Sequence, residues 1–381
     1  MHKLILAALW GALFAATAAP LEIVSPKEGA TVPILTADMK AYLAQPRAAR
    51  VAQFADPAAR KRIAKFKDRP VKTLLSWNCT APGATGVVWS VKVRRAKDNA
   101  VVFTAKTRKN SIEIDNLEIA CSYKWRVKGT PSGGSQLRAE GTFSTEDVAP
   151  RLMHLSRVHN MRDFGGRIGL GGRRVRQGIL YRSAGLNANA RKSKSQGKMV
   201  PGKVTLTDAS RAYAKGVLRI RTDLDLRTDH ECFGMTGSPL GPEVKWVHIS
   251  SSAYGGMGKD KGKKAFAKGF RVFLDEKNYP MVFHCIAGAD RTGSLAFILG
   301  ALLGVDEEEL WRDWEVTAFQ SSNTKFSHKS RFNKLVKVFD AFPGANIHEK
   351  VEAYVKSLGF TDADIAKFRK IMLEPKSNCD V

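Results

Sequence analysis

The 381-residue chain carries 62 Lys and Arg against 36 Asp and Glu, a net charge of +26, and is long enough for two or three domains, each with its own core. That imbalance favours acidic partners, whether phosphorylated ligands, anionic surfaces or nucleic acid, although most single lysines need do no more than solvate the surface. No segment approaches the roughly 20 apolar residues of a membrane span, so a transmembrane protein is not expected.

Residues 1–18 open with His2 and Lys3, continue as an apolar run from Leu4 to Ala16 and close on Ala16-Thr17-Ala18. A basic start, a short apolar core and small residues at a cleavage point are the marks of a secretory signal peptide. The mature protein is therefore expected to be exported, periplasmic or secreted, and export leaves nucleic acid the least fitting of the acidic partners. Residues 19–67 read as an N-terminal arm. Its Ala-, Arg- and Lys-rich stretches have helical spacing but are interrupted by Pro46 and Pro57, which predicts short helices with no core of their own.

Between residues 68 and 148 the pattern changes. Short, mostly alternating runs at 73–77, 86–93, 100–104, 111–114 and 123–127, separated by turn residues, predict a small all-β sandwich. Leu117 followed by Tyr123-Lys124-Trp125-Arg126-Val127 resembles the tyrosine-corner strand of fibronectin type III domains. The resemblance implies a binding or positioning module without chemistry of its own. Pro150 and a shift to Gly- and Arg-rich sequence mark the end of this block.

Residues 150–376 alternate strand and helix. Strands are predicted at 218–226 and 281–283, and helices at 209–215, 262–274, 294–303, 307–319, 332–342, 349–358 and 362–373, the last begun by a capping box of Thr361 and Asp364. This pattern predicts an α/β domain, a central mainly parallel sheet flanked by helices, preceded by the all-β sandwich. The basic stretch at 191–198 (RKSKSQGK) reads as an exposed insertion.

The chemistry concentrates in His284-Cys285-Ile286-Ala287-Gly288-Ala289-Asp290-Arg291-Thr292-Gly293, which joins the apolar strand to the apolar helix 294–303. Backbone N–H groups of residues 286–292, together with the helix N-terminus, can converge on one phosphoryl dianion. The same field favours the thiolate of Cys285, a nucleophile. Arg291 adds a planar fork matched to two phosphoryl oxygens, and Thr292 has a hydroxyl to offer the thiolate.

This run resembles the active-site loop of the cysteine-dependent protein tyrosine phosphatases. Upstream, Asn160-Met161-Arg162-Asp163-Phe164-Gly165-Gly166, then Tyr181-Arg182-Ser183, then Asp225-Leu226-Arg227-Thr228 with Glu231, follow the order of a bacterial tyrosine phosphatase branch, some members of which also act on phosphoserine and phosphoinositides. The resemblance implies a two-step reaction through cysteinyl phosphate, with Asp290 as general acid and then base. Asp260, in a glycine-flanked loop, is the competing acid. His284 is expected to steady the loop, and Asp163, Arg182 and Arg227 to line or brace the pocket. Ala289 stands where the branch carries lysine.

No His or Cys cluster has metal-ligand spacing, and the reaction needs neither metal nor cofactor. The expected substrate is a phosphorylated protein or peptide. Two other readings stay open: a phosphatase for phosphoinositides or inositol phosphates, which the charge of +26 favours, and a non-catalytic phospho-ligand binder or adhesin. Export makes a Cys79–Cys121 disulfide one further expectation, while Cys232 is either a redox partner for Cys285 or a buried thiol.

Overall fold

The computed structural model describes residues 20–193, 197–319 and 329–375, so the expected signal peptide, residues 194–196 of the basic stretch and Cys379 lie outside the described residues. The chain divides into two compact units, one of residues up to 30, 74–112 and 123–143, the other of residues 31–73, 113–122 and 144 onward.

The first unit is all β. Strands β1 (Leu21–Ser25), β2 (Ala30–Val32), β3 (Thr73–Cys79), β4 (Trp89–Arg95), β5 (Val101–Thr107), β6 (Ser111–Ile114), β7 (Ser122–Gly129) and β8 (Leu137–Thr145) form two sheets, in the orders β1-β3-β6 and β2-β8-β7-β4-β5, with most of β2 and half of β6 contributed by residues of the second unit. Alternation buries Trp77 of the smaller sheet and Trp89 and Trp125 of the larger, and the Trp77 ring meets the other two at 5.9 and 6.4 Å. Leu21–Ser25, expected within the arm, is instead a strand paired antiparallel with β3. Only Leu21 of the five is buried, so the alternation is too weak to show in the sequence.

The arm also differs from expectation in its packing. Helices α1 (Ala37–Leu43), α2 (Arg47–Gln53) and α3 (Pro57–Ile63) form as the spacing predicts, with Thr36 and Asp56 capping α1 and α3. They belong to the second unit. Tyr42 and Phe66 meet Phe319 edge-on at 5.7 and 5.2 Å, and the fully buried Arg50 binds Glu315 at 2.5 Å. An apolar stripe of Met39, Tyr42 and Leu43 needs a partner, and this unit supplies it.

In the second unit, β9 (Arg162–Asp163), β10 (Leu180–Ser183), β13 (Thr222–Asp225), β14 (Lys245–His248) and β15 (Met281–His284) form a sheet in the order β14-β13-β15-β10-β9. The ladders are parallel except for β9, which lies antiparallel at the edge. The remaining strands, β11 (Arg191–Lys192) and β12 (Met199–Val200), pair across the basic stretch, where Arg191 and Lys192 are exposed. The predicted strand at 218–226 begins only at Thr222, because Arg219 takes a left-handed turn at φ +55°.

Helices α4 (Asp208–Gly216), α5 (Asp260–Phe273), α6 (Arg291–Leu302), α7 (Glu307–Glu315), α8 (Lys329–Phe339), α9 (Ile347–Ser357) and α10 (Asp362–Met372) complete the unit. Met281 and Phe283 of β15 face the core built with α5, α6, α9 and α10, while Val282 faces a second core shared with α4. This two-sided burial explains the unbroken apolar run that leads into the loop. No helix among the described residues is long and apolar enough to cross a membrane.

Cys79 and Cys121 do not form the expected disulfide. Cys79 is half-buried opposite Leu21 in the first unit, whereas Cys121 is buried in the second.

Candidate active site

Parallel register sets Ser183, His284 and Asp225 side by side at the carboxyl ends of β10, β15 and β13. The residues that follow these three strands therefore meet at one edge of the sheet, where open α/β folds place their ligands. From β15 the chain turns through residues 285–290 into α6.

The carbonyls of that turn are all tied down. Ile286 O accepts from Gly185 N at 2.9 Å, Ala287 O from Asn160 Nδ2 at 2.9 Å and Gly288 O from Arg182 Nη2 at 2.6 Å. Ala289 O and Asp290 O accept from Gly293 N and Ser294 N at 3.0 and 2.8 Å. Because a trans peptide is planar, each carbonyl fixed outward turns the next residue's N–H the opposite way. The amides of residues 287–291 thus share the other side of the loop and meet no protein acceptor among the described residues. Gly288 is needed on two counts: its φ is +65°, and a Cβ there would lie 2.5 Å from Ser183 O.

Cys285 is the buried residue at the start of this cradle, and Ile286, 41% exposed, is its solvent-facing member. Arg291 leaves from the first position of α6. Its Nη1 donates to Glu231 Oε2 at 2.7 Å and to Leu226 O at 3.3 Å, and its Nη2 donates to Glu231 Oε1 at 3.2 Å. Of five guanidinium hydrogens this leaves Nε–H and one on Nη2, on the same edge of the fork, without a protein acceptor among the described residues. Burial works to raise the Glu231 carboxyl, but Arg291 and the Thr228 amide outweigh it and hold it below its ordinary range.

Asp290 sits between loop and helix, its Oδ1 accepting from Tyr254 Oη at 2.5 Å. Tyr254 takes a left-handed φ of +53°, and its own N–H donates to Ser294 Oγ at 2.9 Å. Asp260, the competing acid, is exposed in the first turn of α5.

His284 is fully buried, its Nε2 donating to Asp223 Oδ1 at 2.8 Å and its Nδ1 to Cys285 O at 3.3 Å. Burial alone would push the imidazole down, but Asp225 and Asp223 prevail and raise its pKa to about 9. A charged imidazolium cannot act as a base. Its two hydrogen bonds link the Asp223 carboxylate to the carbonyl of Cys285.

Arg182 reaches the loop through Gly288 O and is anchored on Asp313, which also binds Arg162 at 2.9 Å and Arg167 at 3.0 Å. Burial would raise the Asp313 carboxyl, yet the three guanidinia hold it well below the usual carboxylate range. Arg227 is occupied by Asp225 at 2.6 Å and Asn187 at 2.8 Å, and Asp163 by Arg151 at 2.6 Å and the amides of Gly165 and Gly178. Of the three, only Arg182 bonds to the cradle directly. Thr292 differs from expectation: its buried Oγ1 has no partner among the described residues, so the bond to Cys285 is not made. Ala289 is fully buried. Cys232 donates to Asp225 Oδ2 at 3.3 Å, and burial, followed by Asp225, pushes its thiol up to about 12.

Asn160, Tyr254, Ser294 and Asp313 have roles that the sequence did not disclose. Asn160 opens the motif at 160–166 and Ser294 begins the predicted helix 294–303, but neither pattern names a partner. Nothing local marks Tyr254 or Asp313.

A strand, a carbonyl-anchored loop with unpartnered amides, a buried cysteine and a helix opening on an arginine stand together at the carboxyl edge of the sheet. Residues 153–198 and 202–374, more than half the chain, match the model of the tyrosine phosphatase family, and the protein belongs to that family. It is 29% identical over 177 residues to a protein of Cupriavidus necator described as a putative tyrosine-protein phosphatase, an overlap of 40% of this chain and 58% of that relative. The chain thus spans a little over half the length of the curated relative it matches. Among solved structures, the core catalytic domain of the PP-IP phosphatase SIW14 from S. cerevisiae, in complex with citrate, is 14% identical, with 44% of this chain and 94% of that one covered and a TM-score of 0.25. A second structure of the Siw14 catalytic core is 13% identical, at 43% and 90% coverage and a TM-score of 0.25.

Proposed function

We infer that the protein hydrolyses phosphotyrosine monoesters, with phosphoserine and phosphothreonine esters as further candidate substrates, through a cysteinyl-phosphate intermediate. Cys285 Sγ attacks phosphorus in line as the P–O bond to the leaving group breaks, and Asp290 gives its proton to the departing oxygen. Water then attacks the phosphocysteine, Asp290 takes the proton, the P–S bond breaks and inorganic phosphate leaves with the thiolate restored. The amides of residues 287–291 and the two remaining Arg291 donors bind the three non-bridging oxygens. The observation that carries this reading is the loop itself, every carbonyl from Ile286 to Asp290 held away from the side that its amides face.

The two-sheet unit is read as fibronectin type III-like, supported by its β1-β3-β6 and β5-β4-β7-β8 strand orders and by the buried Tyr123 six residues after Leu117. The exported location rests on residues 1–18 alone.

Phosphate release from phosphotyrosyl peptide, phosphoseryl peptide, a phosphoinositide and an inositol polyphosphate tests the substrate class. Cys285→Ser is expected to abolish turnover while phosphate still binds, and Arg291→Lys to lose most activity because a point charge cannot replace the fork. Turnover by Cys285→Ser above a small fraction of wild type overturns the assignment. Preference for the inositol substrate by the wild type would move the protein to the second reading.

A further inference from the structure

The outer face of the larger sheet in the β unit carries a block of cations that phosphatase chemistry does not use. In the register of β4 with β7, Ser90 faces Lys128, Lys92 faces Arg126 and Arg94 faces Lys124, and β5 sets Lys106 opposite Ser90. Alternation turns Val91, Val93, Tyr123, Trp125 and Val127 inward, so all six cations share the other face. Neighbours on that face lie about 7 Å apart along a strand and about 5 Å apart across it.

Like charges directly opposite one another destabilise a ladder. Neither nearby acid forms an ion pair with them: Glu140 pairs with Arg138 at 2.6 Å, and Glu28 accepts from the Thr142 amide at 2.9 Å. Among the described residues Lys92, Lys106, Lys124, Arg126 and Lys128 form no ion pair. Val88 and Val101, 46% and 45% exposed, add apolar contact at the margins, Val101 directly opposite Arg94.

We propose that this face docks the protein on an anionic phospholipid surface. A sheet displays its charges in one plane, and a bilayer surface meets all of them together, whereas a linear polyanion follows a single row. No aromatic ring stands among the cations to stack on nucleobases, as single-strand binding requires. The proposal is independent of the reading of the catalytic loop.

The test is co-sedimentation of the full chain with phosphatidylserine-containing vesicles and with pure phosphatidylcholine vesicles. Wild type is expected to bind only the former and to be released by salt. Each basic residue near such a surface contributes about 1 kcal/mol, roughly fivefold in partitioning, so Lys92→Gln/Lys124→Gln/Arg126→Gln is expected to weaken binding by about a hundredfold. Its phosphate release from a soluble aryl phosphate should stay at the wild-type level. Lys264→Gln/Lys268→Gln/Lys367→Gln removes the same charge from exposed positions on α5 and α10, and is expected to change binding by about threefold at most. Equal losses in both triple variants would reduce the effect to net charge and overturn the proposal. So would a wild type that ignores the anionic vesicles, or one that binds a single-stranded oligonucleotide through this face and vesicles not at all.

Discussion

Arg291 and Glu231 form a two-pronged pair, Nη1 on Oε2 at 2.7 Å and Nη2 on Oε1 at 3.2 Å, and the pair decides which edge of the guanidinium faces the cradle. Glu231→Gln keeps the volume but can hold only one prong. A fork free to rotate is misplaced by about an ångström, which costs about tenfold to a hundredfold in kcat/KM. Steady-state kinetics on phosphotyrosyl peptide would show the loss, with unfolding temperature close to wild type, since the pair is only partly buried. Because the folded carboxyl lies below its ordinary range, the pair holds above that range and is lost as the pH falls through the depressed value.

Gly288 provides a conformational test of the same loop. Gly288→Ala must adopt φ +65° and place a methyl 2.5 Å from Ser183 O. The left-handed cost of about 1–2 kcal/mol and the clash together are expected to destabilise the protein by about 2–4 kcal/mol. Denaturant unfolding reads the stability, and the folded fraction should be nearly inactive, because the methyl can be housed only by shifting the cradle.

Much of this site was legible because its chemistry is contiguous: residues 284–293 state nucleophile, turn and arginine in one run, and the apolar strand and helix beside them are long enough to show their type. The partners of that run were not legible. Asn160 and Arg182 stand in motifs that the sequence singled out, yet which loop carbonyl each takes, Ala287 O or Gly288 O, is settled by strand register. Asp313 gathers Arg162, Arg167 and Arg182 from more than 130 residues away, and nothing in its own helix announces this. The arm helices were readable from spacing, but their burial against Phe319 and Glu315 was not, because an apolar stripe states that a partner exists and not which one.

His284 carries a pH dependence whose sign follows from its neighbours. Its pKa is raised to about 9 in the folded state against an ordinary value of about 6.5, so its contribution to stability is fully present below about pH 6.5 and is lost as the pH rises through about 9. Melting curves of the wild type should therefore fall in temperature between about pH 7 and pH 9.5. Asp223→Asn removes the 2.8 Å partner of Nε2, and is expected to start lower at neutral pH and to show a flatter profile. Parallel curves for the two proteins would mean that His284 is neutral in the fold.

The identity of the proton donor is tested by leaving-group chemistry. An aryl ester of an acidic phenol departs with little help, whereas phosphotyrosine, whose phenol has a pKa near 10, depends on protonation in the transition state. Asp290 lies in the loop itself, oriented by Tyr254 Oη at 2.5 Å, and Asp260 is exposed at the start of α5. Asp290→Asn is therefore expected to cost about 10²–10⁴-fold on phosphotyrosine and far less on the activated ester, steepening the dependence of rate on leaving-group pKa and flattening one limb of the pH profile. Tyr254→Phe should reproduce the effect in weaker form, since the carboxyl is then present but unaimed. Asp260→Asn is expected to change mainly KM. If Asp260→Asn instead shows the steep dependence and Asp290→Asn does not, Asp260 belongs to a closing lid, and the Tyr254–Asp290 bond serves only to pin the loop to α6. Should both variants keep the wild-type dependence, the donor lies outside this pair.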